Sequence, residues 1–369
     1  MRNRFKRLIT AAFAVAVFFC VSPAAHASDV PTSGRCGTNI TWEFTADNEL
    51  IISGTGSINN YTAVKPAPWN RLKSKVVKIT ITGDIYSIGS MTFSSCKNAT
   101  EVTIPSTVSN IGKKAFSGCK KLKEITLPEK LTTIGDMAFA NCTALKEITI
   151  PDRVAQINEG AFSGCKSITS LTLGDRVSII QEAAFENCVR LEELKLPESL
   201  KEIGDYAFFG LSSIKTVTIP AGCWFIGDEA FADCHSLVEI NVDPGNRVYS
   251  SIDGVLFNKN GDTLFCFPSG RAGSYTVPDG TRTIGDFAFY ICPNLTEVDC
   301  NGAAYIGSWD FYDCPKLKSV SLGANFCSYG SMFLGHCPKL ETVTVAEGNR
   351  YYKSVDGILY NSSGAKIAP

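Results

Sequence analysis

The chain has 369 residues, of which 44% are hydrophobic, and a formal net charge of −1. That composition belongs to a globular chain and not to a disordered one. Lys and Arg are spread evenly, with no basic patch that would point to nucleic acid. A single core usually stops growing at about 250–300 residues, a limit that a solenoid escapes because each unit packs only on its neighbours.

Residues 1–27 read as a secretory signal peptide. Arg2, Arg4, Lys6 and Arg7 give a basic start, an apolar run follows from Leu8 to Val21, and Ala25-His26-Ala27 is a small-x-small cleavage pattern with the cut after Ala27. The run of 14 residues is short for a bilayer span, and no later stretch is apolar and long enough for one. The bulky Val17-Phe18-Phe19 before Cys20 argues against lipidation. Removing those four basic side chains leaves 31 of the 35 against 36 acidic ones.

Residues 28–75 form a capping region. Trp42-Glu43-Phe44 and Leu50-Ile51-Ile52 predict a small hairpin, with Trp69 nearby. A stack of strands has an open first edge that invites aggregation, so a cover is expected there.

A repeat of 23 residues occupies 76–369. Ile88, Ile111, Ile134, Ile157, Ile180, Ile203 and Ile226 fall at that spacing, each followed five residues on by Phe93, Phe116, Phe139, Phe162, Phe185, Phe208 or Phe231. Eight residues after each Ile comes Cys96, Cys119, Cys142, Cys165, Cys188, Leu211 or Cys234. The unit is Ile-Gly-x-x-Ala-Phe-x-x-Cys-x-x-Leu-x-x-Ile-x-Ile-Pro-x-x-Val-x-x. Leu122-x-x-Ile125-x-Leu127 alternates with period 2 and predicts a short strand with Ile125 and Leu127 inward. Pro128, which has no donor for the ladder, ends it. Ala115-Phe116-Ser117-Gly118-Cys119 reads as a turn of α- or 3₁₀-helix on the opposite side, and Gly112 suits the tight corner before it. Val76, Ile79, Ile81 and Ile85 place the first unit ahead of Ile88.

After Ile226 the next unit start is Ile284, 58 residues on instead of 46. The extra length predicts an enlarged unit at 243–283. Val255-Leu256-Phe257 and Thr263-Leu264-Phe265 flank the polar turn Asn258–Asp262 as a β-hairpin. Tyr275 and Val277 then resume the register. The segment from Asn349 to Asn361 copies the one from Asn246 to Asn258, which makes 346–369 a second such unit. It reads as part of a truncated array more than as a finished cap, since capping repeats normally carry a distinct polar face.

The Ile-Gly-x-x-Ala-Phe-x-x-Cys-x-x-Leu-x-x-Ile-x-Ile-Pro units, clearest from Ile111 to Pro151, resemble the BspA-like leucine-rich-repeat family of bacterial surface and secreted proteins. Ser251–Phe257 with Tyr275-Thr276-Val277-Pro278 is similar to that family's enlarged unit, and Cys36–Trp42 with Ile51–Gly56 resembles its leader. The resemblance implies an α/β solenoid: a right-handed superhelix with a parallel sheet on the concave face and short helical or 3₁₀ turns on the convex face. It also implies binding, in adhesion to host proteins, other cells or extracellular matrix, with no enzyme activity and no fixed binding residues.

The residues themselves offer little chemistry. Nine cysteines (Cys96, Cys119, Cys142, Cys165, Cys188, Cys234, Cys292, Cys314 and Cys337) share one repeat position, where Leu211 substitutes in one unit; they read as a ladder of buried thiols. Cys36, Cys266 and Cys327 stay open as to disulfide pairing. No Cys-x-x-Cys pair supports zinc, and beyond the leader only His235 and His336 remain, in no catalytic motif. No cofactor, metal or catalytic residue is expected. The best binding candidate is the strand face. Glu101, Glu124, Glu147, Glu193, Glu239 and Glu297 form one outward row, with Lys123, Lys146 and Lys215 next to it to offset their repulsion. Thr103, Thr126, Thr149, Thr172 and Thr218 form the second row. Stacked Glu side chains repel, so such a row asks for an explanation: one reading is a solvated face with Thr chosen for strand propensity, the other a contact face for a partner, whether a host or matrix protein, another cell surface or a glycan, and not nucleic acid. The Asn258–Asp262 loop is a second candidate. The expected function is an exported binding protein, secreted or at the cell surface; the alternative is a non-catalytic accessory module of a longer surface protein.

Overall fold

The structure, a computed structural model, describes residues 30–368. The leader read at 1–27 lies outside them. The described residues contain 30 strands and no helix.

Each coil has two extended sides joined by turns. On one side sit short pairs such as Asn110–Ile111 and Thr133–Ile134, in parallel register so that Ile88 lies beside Ile111 and Ile111 beside Ile134. The same pairing runs through Ile157, Ile180, Ile203 and Ile226. On the other side lie Glu101–Thr103, Glu147–Thr149, Ser170–Thr172, Thr216–Ile219 and Glu239–Val242. Ile125 and Leu127 point inward as expected, 9% and 6% exposed. Their segment, however, is not a strand, and neither is the equivalent one around Glu193. The coils meet at the first of these through the Lys146 N–H donating to the Lys123 carbonyl at 3.0 Å.

The expected helical turns are absent, and the reason lies between coils. In the turn after Ile111, Lys114 (φ 55°) and Gly118 (φ 74°) are left-handed, four residues apart. The same alternation recurs at Met91 and Ser95, Met137 and Asn141, and Ala183 and Asn187. It turns alternate N–H groups outward along the stack. Lys114, Phe116 and Gly118 donate to the carbonyls of Asp136, Ala138 and Ala140 in the next coil at 2.7–2.8 Å. A helix would spend those donors inside one coil. Stacking therefore outcompetes the local helical preference of Ala-Phe-x-x-Cys. Glycine at the corner serves close approach: a Cβ on Gly135 would lie 2.5 Å from the Lys113 nitrogen.

The Phe column is the spine of the core. Ring centroids from Phe93 through Phe208 stack at 5.2–5.8 Å, and Phe231 follows Phe208 at 5.4 Å. Burial of each such ring contributes on the order of 2–3 kcal/mol. The cap extends the column, with Trp69 5.8 Å from Phe93 and Trp42 edge-on to Trp69 at 5.6 Å. Asn39–Phe44 and Glu49–Ser57 form the expected hairpin. Glu49–Ser57 then pairs in parallel with Lys78–Ile88 and so becomes the first rung of the stack. Ser33–Gly37 adds an outer strand that the sequence, lacking alternation there, did not announce.

The stack is interrupted once. Tyr249–Ile252, Val255–Asn258 and Thr263–Cys266 form an antiparallel meander, and Leu264 then pairs in parallel with Ile284. The buried core divides at this point into two clusters, one ending with Tyr249 and Leu256, the other beginning with Val255 and Phe257. The Phe column resumes only at Phe267, 4.9 Å from Phe289, which lies 5.0 Å from Phe311. At the far end Tyr352–Val355, Ile358–Asn361 and Lys366–Ala368 repeat the meander.

Candidate functional site

The strand face carries the two predicted rows. Glu101, Glu124, Glu147, Glu193, Glu239 and Glu297 are all exposed, as are Thr103, Thr126, Thr149, Thr172 and Thr218. Alternation puts them outward because their neighbours Ile148, Val217 and Ile240 fill the core. The acidic row is not continuous. Glu147 lies beside Ser170, Glu239 beside Thr216, and Glu297 beside Ser319. Like charges therefore adjoin only along Glu101, Glu124 and Glu147. Lys123, Lys146 and Lys215 make no ion pair with the row among the described residues. The pair that does form is Glu193 with Lys195 at 2.9 Å, both highly exposed and so of little energetic weight. The rows offer carboxylates and hydroxyls at coil spacing over a long face.

The Asn258–Asp262 loop is closed on itself. Asn258 Oδ1 accepts from the backbone N–H groups of Asp262 and Thr263 at 3.0 and 3.1 Å, and its amide donates to the Asp262 carboxylate. Those groups are committed to the turn. No cluster of three His, Cys, Asp or Glu side chains among the described residues is placed to hold a metal ion.

The cysteine column packs as thiols. Cys119, Cys142, Cys165, Cys188 and Cys234 each direct their Sγ–H to the carbonyl of a Phe in the preceding coil, at 3.2–3.4 Å. Burial holds the Cys188 thiol up to about 12, so it stays neutral and inert. Cys36 and Cys266 are likewise raised to about 12 by burial. Cys327 is exposed; all three are free thiols. His235 pairs with Asp233 at 3.1 Å, and His336 lies 3.5 Å from Asp313 with its ring stacked on Tyr312. His336 Nε2 also lies 3.4 Å from the Tyr312 hydroxyl.

Sequence reasoning missed a cleft of about 240 Å³ where the stack is interrupted. Phe231, Phe265, Phe267 and Phe287 supply apolar wall, and Asp228, Glu229 and Asp286 supply charge. The signal was present in the 58-residue spacing from Ile226 to Ile284, across which the Ala-Phe-x-x-Cys motif is missing once. A second missed feature is the exposed aromatic pair Trp224 and Phe225, 53% and 43% accessible.

A stack of parallel coils with outward rows of side chains defines a repeat scaffold. The chain matches the BspA type leucine rich repeat region, in 6 copies, over residues 72–190, 132–260 and 261–362. It belongs to that family. Among solved structures, a leucine rich cell surface protein from Faecalibacterium prausnitzii is 25% identical, with a TM-score of 0.58 over 88% of this chain and 86% of that one. A leucine-rich repeat protein from Eubacterium ventriosum is 26% identical, with a TM-score of 0.51 over 85% of this chain and 72% of that one. The pneumococcal vaccine antigen PcpA, 21% identical, shares the fold with a TM-score of 0.52 over 85% of this chain and 82% of that one. No protein of curated function matches the sequence significantly.

Proposed function

We propose that the chain is an exported, non-catalytic binding protein that engages a protein or glycan partner at the bacterial surface or outside the cell through its strand face. The observation that supports this most is the pair of exposed rows, Glu101, Glu124, Glu147, Glu193 and Glu239 beside Thr103, Thr126 and Thr149, all on one face of a rigid stack. Repeat arrays use such extended faces for recognition. Of the three adjacent carboxylates only Glu101 has a lysine, Lys78, in register beside it; the repulsion left at Glu124 and Glu147 weakens the strand face for its own sake, and a partner offering cations or hydroxyls relieves it. The leader at 1–27 and the naming of a similar protein as a cell surface protein support the location.

The test is direct capture. The purified chain is immobilised and presented with a panel of purified extracellular-matrix proteins and a glycan array. Changing Glu124, Glu147 and Glu193 together to Ser is expected to abolish capture of whatever binds. Undiminished capture by that triple variant removes the strand face from the proposal. Fractionation of the source cells, with the chain recovered outside the membrane and starting at Ser28, tests export.

A further inference from the structure

The interruption between Ile226 and Ile284 leaves one rung of the backbone ladder unfilled. In the regular coils, the third, fifth and seventh residues after Ile donate their N–H groups to carbonyls of the next coil, as Tyr206, Phe208 and Gly210 do to Asp228, Ala230 and Ala232 at 3.0 Å. The next donors in this series are Glu229, Phe231 and Asp233. Among the described residues they find no backbone acceptor. Across the cleft, the carbonyls of Asp286 and Tyr290 occupy the matching acceptor positions and receive no backbone donor, while Ala288 receives one from Phe267 at 2.8 Å. The enlarged unit thus fills one of the positions and leaves donors on one wall and acceptors on the other. A row of unpaired N–H and C=O groups is a template for pairing with another chain, so this slot is shaped for an extended chain.

Charge identifies what that chain carries. Asp228, Glu229 and Asp286 line the cleft, and none of its lining residues is Lys or Arg. The carboxyl of Asp228 is held above its usual range by burial first, then by repulsion from Asp205 and Asp286. Glu229 is raised by burial, then by Asp228 and Asp205, although the Tyr206 hydroxyl donates to it at 2.7 Å. Repulsion between Asp228 and Asp286 places the two walls within each other's field. The remaining surface is aromatic, with Phe265, Phe287 and Tyr290 at the rim. Aromatic faces and carboxylates together suit a cation on an apolar stem.

We propose that this cleft binds an extended peptide segment of a partner protein. The segment's backbone completes the missing rung against Glu229, Phe231 and Asp286, and an arginine or lysine side chain enters between Asp228 and Asp286. This is strand addition, made at the turn side of the stack. It is independent of the strand face, so either site can fail without the other.

The experiment uses the whole chain and two capped pentapeptides, Gly-Val-Arg-Val-Gly and the same sequence with Gln replacing Arg, read by calorimetry and by amide exchange. A charge-assisted contact contributes about 1.5–3 kcal/mol, so the Arg peptide should bind on the order of 10-fold tighter or more. That preference should shrink between low and high salt. D228N/D286N should abolish it; Asn at 286 retains the oxygen that accepts from the Ser308 N–H. E124Q/E147Q on the strand face should leave it intact. The amides of Glu229 and Phe231 should become protected only when the Arg peptide is bound. Equal binding of the two peptides, binding of neither at millimolar concentration, or protection elsewhere on the chain overturns the proposal. So does displacement by a neutral tetrasaccharide with no effect of D228N/D286N, which would make the cleft a glycan site, or concentration-dependent protection of the same amides without peptide, which would make it a contact between copies.

Discussion

The stretch from Phe93 to Phe231 and the stretch from Phe267 to Phe311 are built from the same unit, yet they differ in what their cores tolerate. In the first, Ala115, Ala138, Ala161, Ala184, Ala207 and Ala230 precede the Phe of their coils, all buried beside a column of rings, and Thr92, whose hydroxyl donates to the Gly89 carbonyl, precedes Phe93. In the second, the corresponding position after Ala288 is Asp310, fully buried, with Oδ1 accepting from the Phe289 N–H at 3.0 Å and Oδ2 without a partner. In the first stretch every coil before that of Phe231 has neighbours on both sides. The second begins at a cleft and packs its rings at mixed angles, with Phe267 tilted 31° to Phe289. Periodic packing thus stabilises by repetition, and where the repetition stops, polar groups and unfilled space enter the core.

The largest expected effect tests the column itself. Phe162 lies between Phe139 and Phe185, nearly parallel to both at 5.3 and 5.4 Å. Phe162→Ala should cost about 3–5 kcal/mol in denaturant unfolding, the usual loss for a buried ring that leaves a cavity. Phe231 has a stacked ring on one side, Phe208, and the cleft on the other. Phe231→Ala should therefore cost clearly less. Equal losses would show that the cleft is closed in solution and that the two stretches form one continuous stack.

The next effect concerns Asp310. Burial, and after it repulsion from Asp286, holds its carboxyl far above the usual carboxylate range, opposed in part by the Phe289 N–H. An unfolded Asp releases its proton near pH 3.9. Between that value and the raised native one, the native state binds more protons than the unfolded state. Stability should therefore fall as pH rises through that window and stay lowered above it. Asp310→Ala restores the residue found in most other coils, from Ala115 to Ala288, and should flatten this slope. At neutral pH two effects of about 1–3 kcal/mol each oppose one another, relief of the unpaired buried carboxyl and loss of the acceptor for the Phe289 N–H, so the flattened slope and not the midpoint is the readout. Identical pH slopes in the two proteins would mean that Asp310 is hydrated or paired, and that the second stretch carries no polar penalty.

Much of this was legible in the sequence because the period exposes it. Ile111, Phe116, Cys119, Leu122 and Val108 are core residues by spacing alone, and all are fully buried. The Val255 and Thr263 strands followed from two apolar segments flanking a polar turn. What could not be read was anything decided between coils. Ala115–Cys119 carries helical propensity, but Lys114 and Gly118 turn left-handed because the carbonyls of the next coil are there to be reached. The Glu row looked continuous because repeat positions were aligned; its breaks at Ser170 and Thr216 matter only once strands lie side by side. The cleft was hidden for the same reason. A missing motif is visible in one dimension, but the donors it strands at Glu229 and Phe231 belong to a ladder that exists only in the stack.

A smaller effect asks whether the cysteine column notices the interruption. Cys142 donates to Phe116 at 3.3 Å in the first stretch, and Cys314 to Phe289 at 3.2 Å in the second. Each is fully buried. Removing the sulfur by Cys142→Ala or Cys314→Ala should cost about 1–2 kcal/mol, as for one or two buried methylene groups. Reductant should leave the unfolding midpoint of the parent unchanged, since the described cysteines are free thiols. A drop in midpoint with reductant would instead reveal a bridge. Unequal costs of the two substitutions would localise looser packing to the coils beyond the cleft.

The smallest effect compares crowded and isolated glutamates on the strand face. Glu124 stands between Glu101 and Glu147, whereas Glu239 lies beside Thr216. Glu124→Thr removes repulsion on both sides and places a residue suited to an exposed extended segment. Glu239→Thr offers only the second benefit. At low salt the first substitution should raise the thermal midpoint by about 1 °C more than the second, the scale of an exposed change. The difference should vanish at about 1 M salt, where the screening length is about 3 Å. If the two substitutions behave alike at low salt, the carboxylates are already apart, and the adjoining run exerts no pull toward a cationic partner. A difference that persists in high salt would assign the gain to strand propensity and leave the charge row without an energetic argument for binding.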